Sequence, residues 1–133
     1  MLPKASLLAL AAAMSATPVS AIERCGPGRN VTCVVDGATV WLRGELFRFQ
    51  GYDVPQIEGD LCGGNKEAAL GKKAADRLLK TMKSGGLFMT RVGQDSNGNI
   101  LARLFVSGRD VGAILIAEGL ARKTPDGRKF WCD

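Results

Sequence analysis

Three short polar segments carry the residues able to do chemistry. Asp36-Gly37-Ala38-Thr39 and Asp53-Val54-Pro55-Gln56 each end a hydrophobic run, Arg48 stands between them, and Asp95-Ser96-Asn97-Gly98-Asn99 follows later with Arg103 close behind. This layout predicts an anion site at one end of a small barrel. No histidine occurs among the 133 residues. That removes Ser-His-Asp and Cys-His catalysis, histidine general bases and histidine metal ligands together. Any chemistry must come from carboxylates, arginines, lysines or a metal held by oxygen.

The flanking sequence predicts the elements that position these residues. Val31 to Val35 is rich in β-branched residues and stops at Asp36-Gly37. Thr39 to Leu42 is a second strand, Arg43-Gly44 a tight hairpin, and Glu45 to Tyr52 a third strand, with Leu46, Arg48 and Gln50 facing away from Phe47 and Phe49. A loop bearing Pro55, Gly59, Gly63 and Gly64 leads to a helix from Lys66 to Lys83, with Asn65 as its N-cap and Ser84-Gly85-Gly86 as its end. Gly71, Ala74, Ala75, Leu78 and Met82 form its small-residue face. Lys66, Lys73, Arg77 and Lys80 line another face. It reads as a solvated surface, with Lys72, Asp76 and Lys80 spaced for i to i+4 pairing, or alternatively as a polyanion stripe. Leu87 to Val92 and Ile100 to Val106 are two further strands, and Ser107-Gly108 turns the chain into a short helix from Val111 to Glu118. Trp41, Tyr52 and Trp131 read as packing residues, with base or sugar stacking as the alternative. Together these elements predict a β-barrel with helices, an α+β fold of the five-stranded OB-type Greek-key kind. No glycine-rich phosphate loop opens a helix, and the strands come in hairpins, so a Rossmann arrangement fits poorly.

The three polar segments resemble those of the staphylococcal nuclease family, over roughly Val31 to Lys123. The resemblance implies an OB-type barrel and calcium-dependent hydrolysis of nucleic-acid phosphodiester bonds. It also locates what has changed. The family's first turn reads Asp-Gly-Asp-Thr and its second aspartate binds calcium; here Asp36, Gly37 and Thr39 match, and that aspartate is Ala38. The family's other calcium carboxylate corresponds to Asp53, so the resemblance implies a weak or lost calcium site of Asp53 and Asp36. Gln56 stands where members carry the proposed general-base glutamate, and an amide cannot take a proton at neutral pH. Glu58, two residues on, is a substitute only if the loop is rearranged. Arg48 matches the first phosphate-binding arginine, retained in a catalytic position; the second falls at Asn99, which lacks the charged fork. Arg103 is near enough in sequence to compensate as a substrate contact.

Residues Met1 to Ala21 join Lys4, an apolar stretch and Val19-Ser20-Ala21 in an export-signal pattern, with cleavage expected after Ala21. Removing 21 residues leaves 112, one nuclease-like domain over residues 22–133. The apolar stretch is too short to span a membrane. Four cysteines in an exported chain point to two disulfides among three possible connectivities. The pairing favoured is Cys25 with Cys33, close in sequence, and Cys62 with Cys132, tying the carboxyl end to the middle; the spacings lack the C-x-x-C pair of a zinc site. Asn30-Val31-Thr32 fits a glycosylation sequon. The net charge of +5, or +4 without Lys4, favours nucleic acid or another polyanion as partner.

These readings converge on a monomeric periplasmic or extracellular domain that has lost most or all nuclease activity and binds an anionic ligand. An active nuclease rebuilt around Arg48, Asp53, Glu58 and Arg103 is the alternative, and a structural envelope interaction protein is a second.

Overall fold

The computed structural model describes residues 22–28, 31–125 and 127–132. The export signal with its cleavage point, and Asn30 of the sequon, lie outside them. A two-residue strand β1 (Glu23–Arg24) runs parallel to β2 (Cys33–Asp36), which pairs antiparallel with β3 (Thr39–Leu42), and β3 with β4 (Glu45–Phe49). Arg43 and Gly44 form the β3–β4 turn with φ of 50° and 80°. Positive φ at both central residues is the primed hairpin geometry that matches strand twist.

The third strand ends earlier than its sequence suggests. Gly51 has a φ of 91°, which turns the chain out of the main sheet, and β5 (Tyr52–Asp53) pairs instead with β9 (Arg122–Lys123) near the carboxyl end. Helix α1 (Gly64–Lys83) follows, then β6 (Leu87–Gln94), β7 (Ile100–Val106), a two-residue strand β8 (Arg109–Asp110) and helix α2 (Val111–Ala117). The hairpin Ser107-Gly108 therefore first adds β8 to β7, and Asp110 then caps α2 by accepting from the Ala113 N–H at 3.1 Å.

The main sheet runs β1-β2-β3-β4-β7-β6, with β8 on β7. The β4–β7 pair is parallel, an arrangement that requires the long connection supplied by α1 and β6. The result is the OB-type barrel with helices, as a curled mixed sheet forming a half-barrel plus two helices, in which β2, β3, β4, β7 and β6 are the long staves. Alternation puts Val34, Val40, Phe47, Phe49, Ile100, Ala102 and Leu104 inside, against Ala74, Ala75, Leu78 and Met82 of α1 and Val111 and Leu115 of α2.

Asn65 is not the N-cap of α1. Gly63 occupies that position without a side-chain cap, and the loop before the helix is organised by Glu67. The Glu67 carboxylate is 0% exposed and accepts from the backbone N–H groups of Leu61, Cys62 and Gly63 at 3.0–3.1 Å and of Gln56 at 3.2 Å. Burial pushes this carboxyl up, and the four N–H groups outweigh it, so its pKa lies below the ordinary value. Both disulfides pair as expected, Cys25 with Cys33 and Cys62 with Cys132. The second fastens the short 3-10 turn Phe130–Cys132 to the start of α1. There the backbone carbonyl of Trp131 fills the space a Gly63 side chain would need.

On the outer face of α1 the expected i to i+4 pairing gives way to tertiary partners. Asp76 binds Arg24 at 2.8 Å, and Arg77 binds Glu118 at 2.7 Å. Tyr52 and Trp131 are 5% and 0% exposed, so neither offers a stacking platform.

Candidate anion-binding site

The β2–β3 turn is held from three sides. Asp36 Oδ1 accepts the Ala38 N–H at 2.8 Å, so its side chain closes its own turn. Gly37 is pressed on α1: a Cβ there would stand 2.8 Å from Ala74 Cβ and 2.9 Å from Val54 Cγ1. Tyr52 Oη donates to the Gly37 carbonyl at 2.8 Å. Burial, then the charges of Asp36 and Asp110, hold the Tyr52 phenol well above its ordinary pKa, so it remains a donor. Ala38 packs its methyl against the core.

Arg48 lies on β4 between buried Phe47 and Phe49 and therefore points outward. Its register partners are Thr39 on β3 and Leu101 on β7. Among the described residues its guanidinium makes no hydrogen bond or ion pair. Its charge does reach Asp95. Burial raises the Asp95 carboxyl, but the Asn99 side chain, the N–H groups of Asn99 and Asn97, and Arg48 together bring it below its ordinary pKa. Asn99 Nδ2 donates to Asp95 Oδ2 at 3.0 Å, while the Asn99 and Asn97 N–H groups donate to Oδ1 at 3.0 and 2.9 Å. Asn99 thus braces the β6–β7 turn.

Of the other sequence-predicted residues, Asp53, Gln56 and Arg103 have partners of their own. Asp53 Oδ1 accepts the Val54 N–H at 2.9 Å, and Oδ2 accepts from Arg122 Nε and Nη2 at 3.2 and 3.1 Å. The β5–β9 register, which sets Asp53 opposite Arg122, creates that pair. Gln56 gives its N–H to Glu67 and lies with Pro55 against Gly71, where a Cβ would meet Pro55 O at 2.8 Å. Glu58 is exposed in the following loop. Arg103 faces outward two residues beyond Leu101, spreads over Gly51 and lies 3.5 Å from Asp110 Oδ2. The structure therefore brings together Asp36, Ala38, Arg48 and the Asp95–Asn99 turn, and gives Asp53, Gln56 and Arg103 partners of their own in Arg122, Glu67 and Asp110.

Two residues central to this geometry have faint sequence signals. Glu67 was legible only as an acidic residue in the first turn of a helix. Nothing in sequence pairs Arg122 with Asp53.

The donor set is a poor match for calcium, which takes six to eight oxygens with several charges among them. A guanidinium sits on Asp53, a methyl replaces one carboxylate at Ala38, and among the described residues no three His, Cys, Asp or Glu side chains converge. As an anion site the same end offers one outward arginine, Arg48, with the Asp36 and Asp95 carboxylates hydrogen-bonded within their own turns and Asp95 within reach of the Arg48 charge.

A family model described as staphylococcal nuclease homologue matches residues 47–129. Arg48, Asp53, Gln56, Asn99 and Arg103 fall inside the matched span; Asp36 and Ala38 precede it. No curated protein matches the chain.

Proposed function

The chain belongs to the family of staphylococcal nuclease homologues, and from that membership we propose that it is an exported domain whose phosphodiester-hydrolysing site has been dismantled and whose outer sheet face binds a polyanion, single-stranded nucleic acid being the first choice. The observation that carries this reading is Arg48: an outward guanidinium without a hydrogen-bonding partner among the described residues, beside turns whose carboxylates are occupied by their own backbone. An arginine in that state keeps its five donors for a phosphate. The positions that would supply metal, base and second clamp hold Ala38, Gln56 and Asn99. The Asn99 side chain serves the fold through Asp95, and at Gln56 it is the backbone N–H that binds Glu67.

Two disulfides suit an oxidising compartment. No described helix is long and apolar enough to cross a membrane. The net positive charge of the chain supports a polyanionic partner. Calcium enters this reading only as a weak ligand.

The test is a paired assay on the purified protein. Single-stranded DNA is expected to survive incubation in calcium as in chelator, while binding to the same oligonucleotide weakens steeply as salt rises. Calcium-dependent cleavage abolished by Arg48→Ala would overturn the reading in favour of a rebuilt nuclease. Absence of salt-dependent binding would leave a structural role.

A further inference from the structure

We infer that the cleft between β7 and α2, whose lining does not include Arg48, is a binding site for a small amphipathic anion, an apolar body carrying one negative head group. The cleft holds about 520 Å³, within the range of about 300 to 1,000 Å³ that small-molecule sites occupy. Phe105 of β7 and Ala113 and Ile116 of α2 form an apolar floor, and Arg103, Asp110 and Lys123 supply the polar groups. A largely apolar lining with a few convergent polar groups is the composition of such sites.

The charges at the rim are unequally committed. Asp110 Oδ1 is used in capping α2. Its Oδ2 lies 3.5 Å from Arg103 Nη1, at the limit of a hydrogen bond, so the remaining donors of that guanidinium face no acceptor among the described residues. Lys123 forms no ion pair there either. Two cations set against one carboxylate leave a positive rim over an apolar floor, and an anion with an apolar body satisfies both at once.

The surrounding backbone keeps the cleft in shape. A side chain at Gly112 would collide with the Tyr52 ring, and one at Gly51, where φ is 91°, would meet the Arg103 guanidinium at 3.4 Å. Both glycines let α2 and Arg103 close on the β4–β5 corner. The head group fits a carboxylate, sulfonate or phosphate. The apolar body comes from either an aromatic ring or an alkyl chain, and the test separates these sources.

The probe is 8-anilinonaphthalene-1-sulfonate, titrated by fluorescence into the purified protein, with the neutral N-phenyl-1-naphthylamine alongside. Saturable binding at one site is expected. Arg103→Gln weakens the sulfonate about tenfold, as loss of a charged hydrogen-bonding partner does, and Lys123→Gln about threefold; neither change affects the neutral dye. Ala113→Phe, placed over the floor, removes both dyes while the melting temperature reports that the fold survives. Arg48→Ala leaves the sulfonate's affinity unchanged, which separates this site from the one proposed above. Displacement by decanoate assigns an alkyl ligand, and displacement by indole-3-acetate an aromatic one. Unsaturable binding, sulfonate affinity indifferent to Arg103→Gln, a folded Ala113→Phe protein that still binds, loss on Arg48→Ala, or displacement by neither acid would each overturn the assignment.

Discussion

At the start of α1 one buried carboxylate gathers four backbone donors, whereas on the outer face of β4 one guanidinium has no hydrogen-bonding partner among the described residues. Glu67 and Arg48 are both single charges placed by regular elements, and their surroundings are opposite. Glu67 has lost contact with water and is repaid by N–H groups from the loop 56–63. Arg48 remains in water with its hydrogen-bonding capacity intact. Satisfied and buried charge specifies structure, since breaking it strands the remaining groups. Unsatisfied exposed charge costs the fold little and stays available to a ligand. The difference separates residues that hold this domain together from the one to which the proposed function assigns the ligand.

The largest expected effect tests the anchored region. Replacing Cys62 and Cys132 together by alanine is expected to cost about 4.4 kcal/mol in the chain-entropy model, against about 2.5 for Cys25 and Cys33, since the sequence separations are 70 and 8. Urea unfolding of the two double variants measures both. Equal losses would mean that the carboxyl end adds little by being fastened to α1.

Glu67→Gln comes next, with a fall in melting temperature at pH 7 on the order of 10 °C, because charge-assisted bonds to the loop are weakened at a buried site. Its pH dependence sharpens the point. The folded-state pKa of Glu67 lies below the ordinary 4.5, so its contribution is complete above about pH 4.5 and is lost as pH falls through the lower folded value. The variant should therefore show a flatter acid limb than the parent. Parallel acid limbs in the two proteins would rule out this role.

Asp53→Asn is expected to cost about 1 to 2 kcal/mol, between exposed and buried ion pairs, since Arg122 is 16% and Asp53 32% exposed. Calorimetry provides the value. A neutral or stabilising change would show that Asp53 is held in an unfavourable state, as a vacant ligand position would be.

The smallest effect on stability belongs to Arg48→Ala, within about 0.5 kcal/mol. Its binding effect should be distinct: the slope of log affinity against log salt for single-stranded DNA becomes shallower by about 0.7. A large stability loss with an unchanged salt slope would move Arg48 from the acting to the anchoring region.

Local chemistry made much of the domain legible. The β-branched runs, the paired turn residues at Arg43-Gly44 and the small-residue spacing of Gly71, Ala74 and Leu78 each impose their own periodicity, so strands and helices followed from neighbours in the chain. The outward placement of Arg48 followed too, from alternation with Phe47 and Phe49. Even the choice of Asp36 as a turn former is local, since its partner is two residues away.

What the chain alone did not disclose depends on how its segments come together in space. The pairing of β5 with β9 decides that Asp53 meets Arg122, 69 residues later, and neither sequence segment carries a pattern long enough to announce a two-residue strand. The placing of Gly63 rather than Asn65 at the N-cap of α1, and the gathering of the preceding loop by Glu67, depend on that loop folding back over the helix start, where the Cys62–Cys132 bridge and Trp131 hold it. Arg103 is directed to Asp110 and the β7–α2 cleft by the hairpin that adds β8. Sequence by itself determined the staves, the helices and which arginine faces out, because those depend on periodicity and turn chemistry. Tertiary structure alone decided which charges find partners and which stay open, because the Asp53–Arg122 pair and the buried Glu67 carboxylate depend on distances in space that a sequence separation, whether 69 residues or 4 to 11, does not announce.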